Sequence, residues 1–299
     1  MKAQHYLASL GLPSGDDYSL PTSTRRFADG GAFHIEIPSV EGPAAMEAVI
    51  DEAALRGVPV HRVSQGSGIW MLTDTEIEQM VELGRVHNIE VCLFVGPRAG
   101  WDTGAQATSP GGAVLFGSLR GADQLAYGIE EVVRGCALGL RSVLVSDLGQ
   151  LAVLGKLKAQ GDLPSDLVLK VSASLPVSNP AGARLLEDLG ASTLNVAVDL
   201  SLPTLSAIRA AVSIPLDLYI ESSDDFGGVI RYYEIPEIVR VAAPVHLKFA
   251  VRNSPSLYPS GGHLAGVLEA TARERVRRAS LGLAMLTRAE ADLALPRSL

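Results

Sequence analysis

The residues best placed to do chemistry are two lysines set inside short apolar runs: Lys170 in LVLKVSAS (167–174) and Lys248 in PVHLKFAV (244–251). An ammonium in such a place has two uses. It can hold a carboxylate or phosphate as a point charge. Stripped of its proton by desolvation and a cationic neighbour, it can instead attack a carbonyl and form a Schiff base. Glu36, Asp217 and Glu221 are the carboxylates with comparable placement, and His246 is a second candidate proton carrier. Other nucleophile and metal signatures are missing. There is no GxSxG, HExxH or CxxC, and the two cysteines fall early in a strand (Cys92) and within a helix (Cys136).

The elements that must position these groups follow a strict rhythm. FHIEIPSV (33–40), VPVHRVSQ (58–65), EVCLFVGP (90–97), SVLVSDLG (142–149), LVLKVSAS (167–174), TLNVAVD (193–199), PLDLYIE (215–221) and PVHLKFAV (244–251) read as strands. A helical segment follows each, the last over about 263–285. Thr73 with Glu76 marks a capping box, and Gly57 a helix stop. Eight βα units predict a parallel (β/α)8 TIM barrel over 31–287, with an N-terminal arm or cap (1–30) and a C-terminal tail (288–299). An open doubly wound sheet is the alternative, but no GxGxxG follows the first strand.

The pleat then sorts side chains between the helix layer and the barrel interior. On the eighth strand Val245, Leu247 and Phe249 must face the helices, which turns His246 and Lys248 inward and leaves Arg252 at the top. The same rule points Lys170, Ser172 and Ser174 inward on the fifth strand, Asn195 on the sixth, Asp217, Tyr219 and Glu221 on the seventh, and His34 and Glu36 on the first. The second to fourth strands alternate less cleanly, so only Ser64, Gln65, Ser146 and Asp147 are placed near their ends. Buried charges without partners cost several kcal/mol, so this lumen must pair them, hydrate them or bind something.

Four loops follow strand C-termini, where this fold keeps its active sites. Gln65 opens the turn after the second strand. Arg98, Trp101 and Asp102 begin the long 98–121 segment, a candidate lid. Asp224 and Asp225 follow the seventh strand and are the weak candidates for a divalent metal. Arg252, Asn253, Gly261 and Gly262 follow the eighth, the usual phosphate position.

Three stretches carry a family likeness: Val145-Ser146-Asp147-Leu148-Gly149, KVSASLPVSNPAGARLLEDLGAS (170–192) and DLSLPTLSAIR (199–209). Over residues 140–222 the chain resembles the U32 peptidase family. The resemblance implies a barrel domain and peptide hydrolysis, and puts Asp147, Ser174 and Asn179 at the family's motif positions. Members of that family also hydroxylate RNA or quinones with iron–sulfur clusters. Their cysteine-rich stretch after the seventh strand is replaced here by IESSDDFGGVIRYYEIPEIVRVAAP, so no cluster is expected. Class I aldolases resemble the Schiff-base picture, but they carry their lysine on the sixth strand.

The chain has 299 residues, a net charge of −8 and 47% hydrophobic residues. That balance describes a globular core without the basic face a nucleic-acid binder needs. No signal peptide or membrane span is evident, so a cytoplasmic protein is expected. The leading expectation is a cofactor-free enzyme acting on a small anionic substrate at the barrel mouth. Lys170, Lys248 and Arg252 would hold the anion, and Glu36, Asp217, Glu221 or His246 would move protons. Ser172, Ser174, Asn179, Tyr219, Asn253, Gln65, Arg98, Gly261 and Gly262 would line the site. A U32-type peptide hydrolase, a Schiff-base lyase and a non-catalytic binding barrel are the rivals, with a homo-oligomer as the expected assembly.

Overall fold

Alternating apolar residues build eight short strands: Phe33–Pro38 (β1), Arg62–Ser64 (β2), Glu90–Phe94 (β3), Ser142–Val145 (β4), Val168–Val171 (β5), Thr193–Asn195 (β6), Leu216–Glu221 (β7) and Val245–Phe249 (β8). In the computed structural model, which describes residues 2–96, 106–107, 109–175 and 177–293, each pairs in parallel with the next and β8 returns to β1. The chain is a closed (β/α)8 barrel. Its outer layer is Pro43–Arg56 (α2), Asp74–His87 (α3), Gly121–Ala137 (α4), Leu148–Gln160 (α5), Pro180–Asp188 (α6), Leu202–Ala211 (α7), Ile235–Ala242 (α8) and Ala265–Leu293 (α9), preceded by the short helix Lys2–Ser9 (α1). None of the described helices is long and apolar enough to cross a membrane.

Local chemistry fixes the helix ends. Thr73 and Glu76 form the reciprocal capping box of α3, and Gly57 closes α2 at φ 64°. Asp147 and Asn179, two motif positions of the resemblance, cap α5 and α6 by accepting from Gln150 N–H and Gly182 N–H. Their place in that pattern is accounted for by helix initiation.

The main core lies between barrel and helices, where Ile35, Ile37, Leu169, Leu218, Leu247 and Phe249 are buried against α2 to α9. Residues 10–32 run along the outside and then across the N-terminal end of the barrel. Asp17 and Ser23 bond to the backbone of Pro203 and Arg240. Phe27 stacks on His34 at 3.7 Å and meets His246 edge-on, so this arm closes the bottom of the lumen.

Candidate active site

The lumen has two halves. On β3 and β4, Cys92, Phe94 and Leu144 form a small apolar cluster of their own. The opposite half is charged. Glu36 and Asp217 are fully buried, and Lys170 lies between them, its Nζ 2.5 Å from Glu36 Oε2 and 2.8 Å from Asp217 Oδ2. Arg62 reaches the same two carboxylates at 3.3 and 3.2 Å. Its Nε lies 2.8 Å from Glu90, whose side chain faces the N-terminal opening. His246 Nδ1 sits 2.7 Å from Asp217 Oδ1.

Burial alone would raise the Glu36 and Asp217 carboxyls. Lys170 leads the cations that overcome it and hold both well below the usual carboxylate range. His246 moves the other way: burial, reinforced by Arg62, lowers it to about 4, so it is a neutral ring at physiological pH. Arg62 was not placed by sequence reasoning. Its alternation with Val63 and Ser64 was the available signal, hidden because β2 is three residues long.

Lys248 differs from Lys170. It takes part of Glu36 (3.2 Å), donates to Asn195 Oδ1 (2.6 Å) and lies 4.3 Å from the centroid of the Tyr219 ring. It also forms the floor of a cavity of about 550 Å³ at the C-terminal mouth. Apolar walls come from Phe94, Phe116, Leu144 and Phe226, and hydroxyls from Ser39, Ser64, Ser172, Ser174, Ser256, Tyr219 and Tyr258. Ser39, Ser256 and Tyr258 were not among the expected residues, because a hydroxyl in an irregular loop carries no periodic signal.

Several expected site residues lie elsewhere. Glu36, Asp217, Lys170 and His246 sit below the floor in the ion-pair network and do not line the mouth, because Lys248 and Tyr219 cover them. Glu221 does not enter the lumen. The pairing of β7 slips between Tyr219 and Glu221, which sets Glu221 beside outward-facing Phe249. Its carboxylate accepts from Tyr232 OH (2.7 Å) and approaches Arg278 on α9 (3.6 Å). Gln65 lines the wall, but its amide is used within its own turn, donating to Gly68 O and accepting from Gly68 N–H, both at 3.0 Å.

The loops after β7 and β8 form no phosphate cradle. Arg252 is exposed and paired with Asp224 at 3.0 Å, whose other oxygen accepts from Asn253 N–H. Gly261 and Gly262 open the 3₁₀ turn Gly262–Leu264 that runs on into α9, and they do not line the cavity. Asn179 is exposed and spent as a cap. Arg98, with Trp101 and Asp102, lies outside the described residues.

Among the described residues one trio could offer metal ligands: Asp29, His34 and His61, at the N-terminal end of the barrel. The two imidazoles stack at 4.1 Å with 8° between planes, and His61 Nδ1 accepts from Ile35 N–H. An ion about 2 Å from each nitrogen would sit between the ring planes and off both in-plane lone pairs. The trio as it stands is a ring stack rather than a coordination shell. Asp224 and Asp225 do not converge on a shared site either, since Asp224 is committed to Arg252 and Asn253.

No protein-family profile matches the sequence, and neither does any curated protein. Solved structures do. A native KDPGal structure aligns over 89% of this chain and 99% of its own at TM-score 0.51 and 9% identity. A U32 peptidase aligns over 77% and 97% at TM-score 0.45 and 17% identity. A thiamine phosphate pyrophosphorylase from Pyrococcus furiosus aligns over 83% and 97% at TM-score 0.44 and 13% identity. At these identities the likeness establishes the barrel fold and nothing finer. The U32 resemblance is thus carried as far as the fold, not to membership.

Proposed function

We propose that this barrel is an enzyme for a small organic anion, which it seats on Lys248 at the floor of the mouth cavity. The supporting observation is the distribution of charge below that floor. Three cations, Arg62, Lys170 and Lys248, face only two fully buried carboxylates, Glu36 and Asp217. The third carboxylate, Glu90, opens to the opposite end and pairs with Arg62 alone. The charges balance over the network as a whole, but Lys248 has only a share of Glu36, which two other cations also contact, so its ammonium is the least compensated of the three, and it alone of them lines the cavity. A carboxylate or phosphate arriving there gains a charge-assisted hydrogen bond in a site largely shielded from water. The aromatic walls suit an apolar body, and the cavity size suits a small metabolite.

Proton-handling groups lining the cavity are Lys248, Tyr219, Tyr258 and Asp225. They support proton transfer at a carbon near the bound anion. The cations that share Glu36 with Lys248 favour a second reading, in which Lys248 gives up its proton and adds to a substrate carbonyl, forming an imine with loss of one water. Peptide hydrolysis has less behind it. Burial pushes the Cys92 thiol up to about 12, and no histidine lines the cavity among the described residues.

The test is isothermal titration of the wild-type protein and Lys248→Met with a panel of small carboxylates and phosphates. At least one anion is expected to bind the wild type and to lose 10- to 100-fold in affinity in the variant. Equal affinities in the two proteins would refute the assignment. Borohydride with oxo acids in the same panel separates the readings, since only the imine leaves a reduced adduct on Lys248.

A further inference from the structure

Ser39 stands directly after β1, at the rim of the mouth cavity, with φ at 60°. A serine in the left-handed region is strained and persists where surrounding structure over-determines it. Here two neighbours do so. The guanidinium of Arg275, almost fully buried in α9, donates from Nη1 to Ser39 O at 3.2 Å, while its Nε has no hydrogen-bond partner. The Tyr258 hydroxyl forms a short hydrogen bond with Ser39 Oγ.

Tyr258 is itself fixed. A Cβ on Gly66 would fall 2.3 Å from its ring, so the phenol closes onto bare backbone that only glycine provides. The buried Glu41 carboxylate accepts from Gly66 N–H and Ser67 N–H at 2.6 and 3.0 Å. Ser67 Oγ in turn accepts from Ser260 N–H at 2.8 Å. The turn after β2 and the loop carrying Tyr258 are therefore one construction. Two hydroxyls bonded to each other retain one donor and several acceptor positions, and both residues line the cavity above Lys248. Burial, with Glu41 adding to it, pushes the Tyr258 phenol upward, so it keeps its proton.

We propose that the Ser39–Tyr258 hydroxyl pair is a second recognition point of the mouth, which takes a hydroxyl or carbonyl oxygen of the ligand whose anionic group sits on Lys248. This rests on the anion reading above and narrows it: the substrate class is small hydroxy or oxo acids rather than plain acids. Specificity then comes from a preset pair of groups rather than from the exposed loop around Arg252.

Matched acids test it by isothermal titration: 4-hydroxybutanoate against butanoate, 5-oxohexanoate against hexanoate, and 4-hydroxyphenylacetate against phenylacetate. The wild type is expected to favour the oxygenated member of at least one pair by about five- to ten-fold. Tyr258→Phe and Ser39→Gly should bring that ratio to within about two-fold. Ser39→Gly suits φ 60° and should unfold no more readily than wild type, which separates lost recognition from lost folding. Gly66→Ala, which displaces the Tyr258 ring, should lower the ratio as Tyr258→Phe does. Oxygenated acids bound no better than plain ones, or a preference that survives both Tyr258→Phe and Ser39→Gly, would overturn this inference while leaving a Lys248-dependent anion site standing. Binding that never depends on Lys248 would overturn both.

Discussion

Lys170 and Lys248 share one carboxylate, Glu36, and live in different surroundings. Lys170 is enclosed, bridging Glu36 and Asp217 on neither side of which solvent enters. Lys248 has an amide oxygen and a fraction of Glu36 beneath it and a cavity above. The lower lumen is thus a closed ion-pair network in place of the branched aliphatics that usually fill this fold. The mouth is an open cavity with Lys248 in its lining. An inward-facing lysine becomes a site candidate when its carboxylate is only partly its own and a cavity opens beside it; orientation alone is insufficient.

The largest expected effect breaks the closed half. Lys170→Met strands Glu36 and Asp217 with less compensation and should cost about 3–5 kcal/mol in chemical denaturation. Lys248→Met takes from Glu36 one cation of three and leaves the Asn195 amide oxygen without its donor, so it should cost less, about 1–3 kcal/mol. Equal losses in the two variants would erase the distinction between the halves.

Acid sharpens the same contrast. The unfolded His246 imidazole takes a proton near pH 6.5, the folded one only at about 4. The unfolded state therefore binds more protons in that window, and stability falls as pH drops from 7 to 5, by on the order of 2 kcal/mol for this ring. Glu36 and Asp217, held far below the usual range, stay charged throughout and add nothing to that slope. Burial lowers His61 to about 4 as well, so His246→Gln should remove about half of the slope of denaturation free energy against pH between 7 and 5 and leave the His61 share. An unchanged slope would show that the ring is not kept neutral.

A smaller effect is expected at Glu221. Glu221→Gln leaves one oxygen where the carboxylate accepts from both Tyr232 OH and Arg252 N–H, and weakens the partly exposed pairing with Arg278, so about 1 kcal/mol of stability should go. Anion affinity at the mouth should not change, because the carboxylate points into the helix layer. A marked loss of binding would return Glu221 to the site.

The barrel was legible because its signals repeat: the β–α alternation, the Thr73 capping box and the Gly57 stop all act locally. Inward placement of Lys170, Lys248, Glu36 and Asp217 followed from apolar neighbours on clean strands. Glu221 was misread because a register slip after Tyr219 reverses the alternation, and such slips arise from packing with β8 rather than from any one residue. Arg62 was missed on a strand too short to show a period. Ser39 and Tyr258 meet only in the folded chain, 219 positions apart.

One measurement bears most directly on the central claim: thermal unfolding of wild type, Lys248→Met and Lys170→Met with and without each small carboxylate and phosphate at matched ionic strength. An anion that raises the wild-type Tm is expected to leave that of folded Lys248→Met unmoved, while Lys170→Met starts from a far lower Tm. An anion-induced rise of equal size in the wild type and Lys248→Met would contradict that claim.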